Sequence, residues 1–498
     1  MAHISIIGSG FSGLAAACFA ASAGNRVTVV DQQCQTGGRA RVLDAGGFRF
    51  DMGPSWYWMP DVFERFFAHF GKQASDYYEL KQLDPGFQII FGDNDVLPVP
   101  ADQSGLYEVF EQIEPGSAVR LRQFLREAAF KYDTAMGQMI YKPAYSWLEY
   151  ASPSLIRGAL QSHMFRSVRS YVRRFFRDPR LVALLEFPVL FLGAMPDRIP
   201  ALYTLMNHAA LSQGTFYPMG GMCRVVAALT ELAASLGVEF RMGEAVMQIN
   251  VEGRKATGLN TIKGIIDADA IIASGDYQHT EQYLLGAPYR NYPNSYWEQR
   301  TLAPSSLIFY LGVNKRLPRL QHHNLFFDTD FERHASAIYG TPAWPDDPLF
   351  YVCCPSRTDP SVAPEGMENL FVLVPVAAGL NDNEVLRDSY YPQLIKRLEA
   401  FCGTAIADDV VFRKSYCIRN FEEDYNAYKG NAYGLANTLG QTAAGKPSLR
   451  NRKVRNLFYA GQLTVPGPGV PPALISGQIA AQELIKQLKK STYEAAVR

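Results

Sequence analysis

Two hydrophobic rhythms alternate along the chain. Short β-branched runs fit buried parallel strands, and longer stretches with apolar residues at helical spacing fit helices. His3-Ile4-Ser5-Ile6-Ile7 is the first such run, Leu14 to Ala23 is small and apolar with Gly24 placed to end it, and Arg26 to Val30 is a second strand ending at Asp31. Between roughly residues 60 and 215 this rhythm stops. Val62 to Phe70 is amphipathic, Val119 to Tyr132 reads as a helix, and Ser162 to Arg177 predicts a helix with a basic face. Arg166, Arg169, Arg173 and Arg177 share that face beside an apolar stripe of Phe165, Val168, Val172 and Phe175. The first rhythm returns with the alanine-rich helix Arg224 to Leu236, the strand Val238 to Phe240, and the strand Ala268 to Ser274, which ends at Gly275-Asp276. Ser306 to Gly312 and Leu370 to Val376 read as strands of another sheet; Asn456 to Gly461 is a last strand, and Ala473 to Leu488 a last helix.

Gly8-Ser9-Gly10-Phe11-Ser12-Gly13 follows the first strand as G-x-G-x-x-G. Taken alone such a turn is weak evidence. Here it sits in a strand–turn–helix–strand–acid context, which predicts a dinucleotide site. Gly8 makes the tight turn, Gly10 lets backbone N–H groups approach a pyrophosphate, and Gly13 permits close helix–strand packing. Asp31, eighteen positions after Gly13, is placed to accept hydrogen bonds from a ribose. Its charge would repel a 2′-phosphate, which argues against NADP. The interruption and return of these signals predict an α/β fold with a discontinuous Rossmann-like domain, residues 1–95, 215–285 and 430–498. A second domain of mixed sheet and helices, residues 96–214 and 286–429, is expected to hold the substrate.

At 498 residues, two large domains are the natural expectation. Lys+Arg and Asp+Glu both number 48, so nothing in the charge calls for nucleic acid. The 30 Phe and 27 Tyr could line a long apolar cavity. Seven cysteines without a C-x-x-C argue against a disulfide framework or a zinc site and fit a reducing cytoplasm. His322-His323 has no carboxylate or cysteine at ligand spacing and reads as a loop, so no metal is expected. Leu181 to Met195 contains Glu186 and Pro188 and is too short to span a bilayer. The basic face at Arg166 to Arg177 suits anionic lipid headgroups, although such faces are more often only solvated.

Gly37-Gly38-Arg39 resembles the G-G-R that follows the ribose acid in the glutathione-reductase-like flavoprotein superfamily, which implies FAD rather than NAD. That superfamily includes amine oxidases, carotenoid desaturases and Rab-escort proteins. Phe48-Arg49-Phe50-Asp51-Met52-Gly53-Pro54-Ser55 resembles the segment that runs under the isoalloxazine in bacterial-type phytoene desaturases. Tyr217-Pro218-Met219-Gly220-Gly221, Glu244-Ala245-Val246, Pro355-Ser356 with Ala363-Pro364-Glu365-Gly366, and Val465 to Gly477 are similar to further segments of that family. The resemblance implies cofactor contacts at Gly8, Gly10, Phe11, Ser12, Gly13, Asp31, Gly38, Arg39, Ser55, Trp56, Val246, Asp276, Gly461, Gln462, Gly469, Val470 and Pro471. Gln462 departs from the family, many members of which carry an acid there. Trp147-Leu148-Glu149 lies where these desaturases carry an aromatic-Arg-Asp segment, which nominates Glu149 as the proton-accepting residue; Leu148 replaces the arginine.

The implied activity is FAD-dependent desaturation of an acyclic or hydroxylated carotenoid, with some likeness to the hydroxycarotenoid 3,4-desaturase branch. A hydride leaves an allylic carbon for the flavin and a proton leaves its neighbour. Peripheral attachment to a membrane from the cytoplasm, and quinone or oxygen as electron acceptor, belong to the same expectation. A flavin amine oxidase and a non-catalytic Rab-escort-like prenyl-protein binding module remain as alternatives.

Overall fold

The computed structural model describes residues 1–151, 164, 166–190 and 192–497. His3–Ile7 and Arg26–Asp31 pair in parallel at the centre of a five-stranded sheet. Its order is Leu457–Tyr459, Ala270–Ala273, His3–Ile7, Arg26–Asp31 and Glu239–Met242, with every pairing parallel. Strands buried on both faces need apolar residues at both alternations. Ile4 and Ile6 face the layer of helices Phe11–Ser22, Met222–Ser235 and Val470–Val497. Ile7 and Ile271 face the other way, onto Ile249, Leu259 and Ile266 of an antiparallel three-stranded sheet, Val246–Glu252, Lys255–Thr261 and Gly264–Asp267.

The second sheet has seven strands, in the order Val410–Tyr416, Ser305–Val313, Glu368–Val376, Phe350–Cys353, His323–Phe326, Phe87–Gly92 and Asp95–Val99. It is antiparallel except between Phe87–Gly92 and His323–Phe326, so the expected mixed sheet is present. Phe309, Leu311 and Val372 pack under the helix Glu384–Cys402, while Ile308, Tyr310, Phe371 and Leu373 face back toward the first domain.

Three expectations from sequence need correction. The strand Phe87–Gly92 belongs to the seven-stranded sheet, so the boundary at residue 95 falls too late. Of the helix expected from Ser162 to Arg177, residues 162, 163 and 165 lie outside the described residues, and only Val168–Val172 is α-helical. Arg169 leaves the expected solvent face to pair with Glu332 at 2.7 Å and Glu186 at 3.5 Å. His323 opens a buried strand rather than lying in a loop, and that strand's register sets it opposite Cys353.

The first and last helices cross with almost no space between backbones. A β-carbon on Gly13 would stand 1.9 Å from the Gly8 carbonyl oxygen, and one on Gly477 would stand 2.1 Å from that of Ser12. Gly477→Ala is therefore expected to lower the thermal midpoint: overpacking costs about 1–3 kcal/mol, against a helix-propensity gain of about 1 kcal/mol. Differential scanning calorimetry reads the difference, and an unchanged or raised midpoint would show that the helices separate freely.

Candidate active site

The turn at Gly8 to Gly13 forms one end of a cavity of about 300 Å³. Gly8 adopts φ +97°, and its N–H donates to Val30 O at 2.8 Å, which fixes the turn against the second strand. No atom lies within 4 Å of a β-carbon built on Gly10, so a ligand can approach the backbone there. The helix Phe11–Ser22 has no side-chain cap at Gly10, leaving N-terminal N–H groups to meet an anion. Gly13 does not line the cavity; its role is the close packing already described.

Asp31 receives Ser9 N and Ser9 Oγ, both at 2.7 Å on Oδ2, and Gln33 N at 2.8 Å on Oδ1. Three donors fix the carboxylate and leave one of its roughly four acceptor directions for a ribose hydroxyl. Gly37 N donates to Ser9 O at 2.8 Å, joining the G-G-R loop to the first turn. Arg39 is half-buried, and its Nε, which is itself buried, has no hydrogen-bond partner among the described residues. Burial lowers its pKa, partly opposed by Tyr425 and Asp276. With the Gln462 amide oriented to satisfy its neighbours, its oxygen accepts from Arg39 Nη2 at 3.0 Å and from Gly434 N at 3.2 Å. A neutral amide thus meets the guanidinium where many family members carry an acid.

Phe11, Ser12, Gly38, Val246, Asp276, Gly461, Gly469 and Val470 also line this cavity. The Asp276 carboxylate caps the next turn, accepting His279 N at 3.0 Å and Tyr428 N at 3.1 Å; burial raises its pKa. Sequence reasoning missed Glu244, Gln32, Gln33, Asp424, Tyr425 and Asn426, all of which line the same space. Glu244 was legible in outline, two residues before Val246 in a segment the sequence had singled out. Residues 424–426 carried no signal, because they arrive from the segment assigned to the other domain and are held by Arg41 Nη2 to Asp424 Oδ2 at 2.7 Å. The glycine cradle, the uncapped helix start and the orphaned Arg39 Nε together fit a dinucleotide with an anionic pyrophosphate.

A second cavity, of about 280 Å³, adjoins the first. The two share Gly53, Pro54, Leu373, Tyr433, Gly469 and Val470 as walls. Ser55, Trp56 and Pro471, expected as cofactor contacts, line this second space rather than the first. Its surface is mostly apolar, with Trp58, Met136, Ile140, Leu202, Leu205 and Met206 among the lining residues. Among the described residues that line it there is no Asp or Glu. Trp56 stacks on His323 with ring centroids 3.9 Å apart, and Tyr351 Oη bonds both Ser55 Oγ at 2.9 Å and His323 Nδ1 at 2.6 Å.

The family-like segments are tied to one another across the chain. Asp51 accepts Met222 N at 2.7 Å and Cys223 N at 3.0 Å; burial raises its pKa to about 6 despite those bonds. Asp359, inside the Pro355 to Gly366 stretch, accepts Gly220 N at 2.6 Å and Tyr217 Oη at 3.2 Å. Glu149 lines neither cavity. Its carboxylate accepts Ala144 N at 3.0 Å, Tyr145 N at 2.7 Å and Ser146 N at 3.2 Å, closing the turn that begins Trp147–Tyr150. His322, His323 and Cys353 offer ligand atoms within 4.8 Å of one another, a juxtaposition made by strand pairing and absent from sequence spacing.

Residues 11–485 match the family described as flavin containing amine oxidoreductase. Over 489 residues the chain is 40% identical to a carotenoid 3,4-desaturase of Haloarcula japonica, covering 97% of this chain and 98% of that one. It is 32% identical over 487 residues to a zeta-carotene-forming phytoene desaturase of Myxococcus xanthus, covering 97% and 94%. Its fold is similar to those of an oxidoreductase from Methanosarcina mazei (TM-score 0.64, 16% identity, 97% and 100% covered) and of a putrescine oxidase bound to putrescine (0.65, 14%, 97% and 99%). The chain belongs to the flavin containing amine oxidoreductase family and, within it, to the bacterial-type phytoene desaturases and carotenoid oxidoreductases. FAD is its cofactor.

Asp31→Ala is expected to weaken FAD binding roughly ten- to a hundredfold, the consequence of losing a charged acceptor worth about 1.5–3 kcal/mol. Titration of apoprotein with FAD measures it, and equal affinity in the variant would remove Asp31 from the site.

Proposed function

We propose that this protein is an FAD-dependent carotenoid desaturase that lengthens the conjugated polyene of an acyclic or hydroxylated carotenoid. The observation that carries the reading is the apolar cavity sharing walls with the dinucleotide cavity. When bound, FAD supplies the hydride acceptor. The chain's own residues do the rest: Trp56, Trp58, Met136 and Met206 bind the hydrocarbon and exclude water, and Gly53-Pro54 with Gly469-Val470 keep substrate and cofactor on one wall. The proton next to a delocalised polyene cation is acidic, so a strong base is not required.

An amine substrate fits this cavity poorly. A buried ammonium needs a carboxylate or a desolvated acceptor set, whereas the described residues of the lining include Lys142 and no acid. A cofactor-free escort module would have no use for the preserved glycine cradle. Expression in cells that accumulate defined carotenoid precursors, followed by pigment analysis, tests the proposal. New pigments with longer conjugation are expected, and unchanged pigments in every precursor background would contradict it.

Membrane contact follows from where a carotenoid resides. No helix among the described residues is long and apolar enough to cross a bilayer. Lys142 and Tyr150 line the apolar cavity, and the turn that carries Tyr150 exposes Trp147 (55%) and Leu148 (81%) to solvent. We read this turn as the part that dips into the lipid surface, with a quinone or oxygen taking the electrons afterwards. Replacing Trp147 and Leu148 together by serine should weaken liposome co-sedimentation at least tenfold, since burying one large apolar side chain is worth about 1.5–3 kcal/mol. Equal sedimentation of the variant would exclude this turn from the contact.

Glu149 remains the residue that the resemblance nominates for the proton, yet its carboxylate is engaged by three backbone N–H groups. Glu149→Gln is therefore expected to slow turnover less than about tenfold, against about 10²–10⁴ for loss of a true general base. Initial rates of pigment formation by purified protein decide it, a thousandfold drop with FAD still bound being the contrary result.

A further inference from the structure

Hydride loss leaves a positive charge on the polyene, and the apolar cavity offers it no counter-charge. A C–H bond breaks with both of its electrons passing as hydride to bound FAD. A proton then leaves the neighbouring carbon for water, and the electron pair of that second bond closes the new double bond. Between the two events the substrate is a cation. Among the described residues that line the cavity no Asp or Glu can face it, and the Lys142 ammonium is engaged by Glu149 O and the Tyr150 ring. What the lining does present is aromatic rings, and one of them is held in a fixed plane. Trp56 is half-buried and lines the cavity. Two residues separate it from Pro54 in the wall shared with the dinucleotide cavity, at most about 7 Å of chain. One face of its indole stacks on His323, with centroids 3.9 Å apart and planes 9° from parallel. His323 is 0% exposed; its Nδ1 bonds Tyr351 Oη at 2.6 Å, and the same hydroxyl bonds Ser55 Oγ at 2.9 Å. Ser55 adjoins Trp56 in the chain, so Ser55, Tyr351, His323 and Trp56 form a closed loop. Trp58 and Phe87 brace the indole at centroid distances of 5.0 and 5.5 Å. Burial keeps the His323 imidazole uncharged, so no positive charge stands behind the indole.

We propose that Trp56 is a catalytic residue whose indole stabilises the polyene cation, and that His323, tied through Tyr351 to Ser55, is the positioning residue that fixes the indole plane. This deepens the desaturase reading and rests on it. A π face attracts a cation, tryptophan most strongly of the aromatic side chains, and the attraction grows where water is excluded. It also suits the charge: a cation spread over many carbons matches a broad face better than a point anion, and an apolar ring leaves the neutral polyene welcome before and after the reaction. Because the indole is already locked in place, it needs no reorganisation when the charge appears. The interaction exists only once hydride has left, so it speeds the chemical step without tightening the binding of the neutral substrate.

The test replaces Trp56 alone by tryptophans carrying one to four ring fluorines, which drain the π face with little change in size. Holoenzyme is mixed anaerobically with a carotenoid precursor, and the rate of flavin bleaching in a single turnover is read. That rate should fall with each fluorine, by at least about tenfold over the series. The dissociation constant of the carotenoid, titrated separately by its absorption shift on FAD-free protein, should change less than about threefold. Trp56→Leu should fall in the same way, and the fluorinated series decides even where that variant misfolds. In His323→Ala the dependence on fluorination should flatten, and His323→Phe, which keeps a stacked ring, should restore it. A bleaching rate indifferent to fluorination, or one that falls only as far as affinity does, would overturn the role of Trp56. A full dependence retained in His323→Ala would overturn that of His323. Wild-type flavin left oxidised by every carotenoid would instead overturn the desaturase reading, and this inference with it.

Discussion

The absence of β-carbons where the first turn meets the first and last helices is the constraint on which the structure depends. Gly13 brings the helix Phe11–Ser22 against the Gly8 carbonyl, and Gly477 brings the helix Val470–Val497 against the Ser12 carbonyl. One crossing thus does two things. It aims uncapped N–H groups into the dinucleotide cavity, and it carries Gly461 to Val470, from the far end of the chain, to the same space. A methyl group at Gly13 would push the first helix off the turn, and one at Gly477 would separate the two helices that position both halves of the site.

The second consequence is a wall with two faces. Gly53-Pro54 and Gly469-Val470 border both the dinucleotide cavity and the apolar one. The seven-stranded sheet closes the same wall through Leu373, while its opposite face is sealed by the helix Glu384–Cys402. A water-excluding apolar chamber next to a hydride acceptor suits a substrate that carries its own charge delocalisation. Beside that chamber, Ser55, Tyr351 and His323 satisfy one another.

What the sequence made legible was what is encoded locally. The strand–turn–helix–strand–acid unit, the G-G-R and the proline-glycine segment before the last helix are contiguous motifs; the first two meet at the dinucleotide cavity, and the third borders both cavities. Long-range partners left no such trace. Asp424 and Tyr425 reach the dinucleotide cavity from a segment read as part of the other domain, and Phe87–Gly92 looked like any strand until its partner His323–Phe326 assigned it to a sheet. The periodicity of Arg166 to Arg177 was real, but Glu186 and Glu332 neutralise Arg169 from distant positions, and the helix there is only Val168–Val172. His322-His323 had no ligand at sequence spacing because Cys353 arrives by strand register. Asp359 sat in a recognisable stretch, while its bond to Gly220 N could not be read from it.

Anaerobic mixing of the yellow holoenzyme with a carotenoid precursor, and separately with primary and secondary amines, tests the central claim most directly. Bleaching of the flavin by the carotenoid, together with a red shift of the polyene absorption and no bleaching by amines, is the expected result. Bleaching by an amine while the carotenoid leaves the flavin oxidised would contradict it.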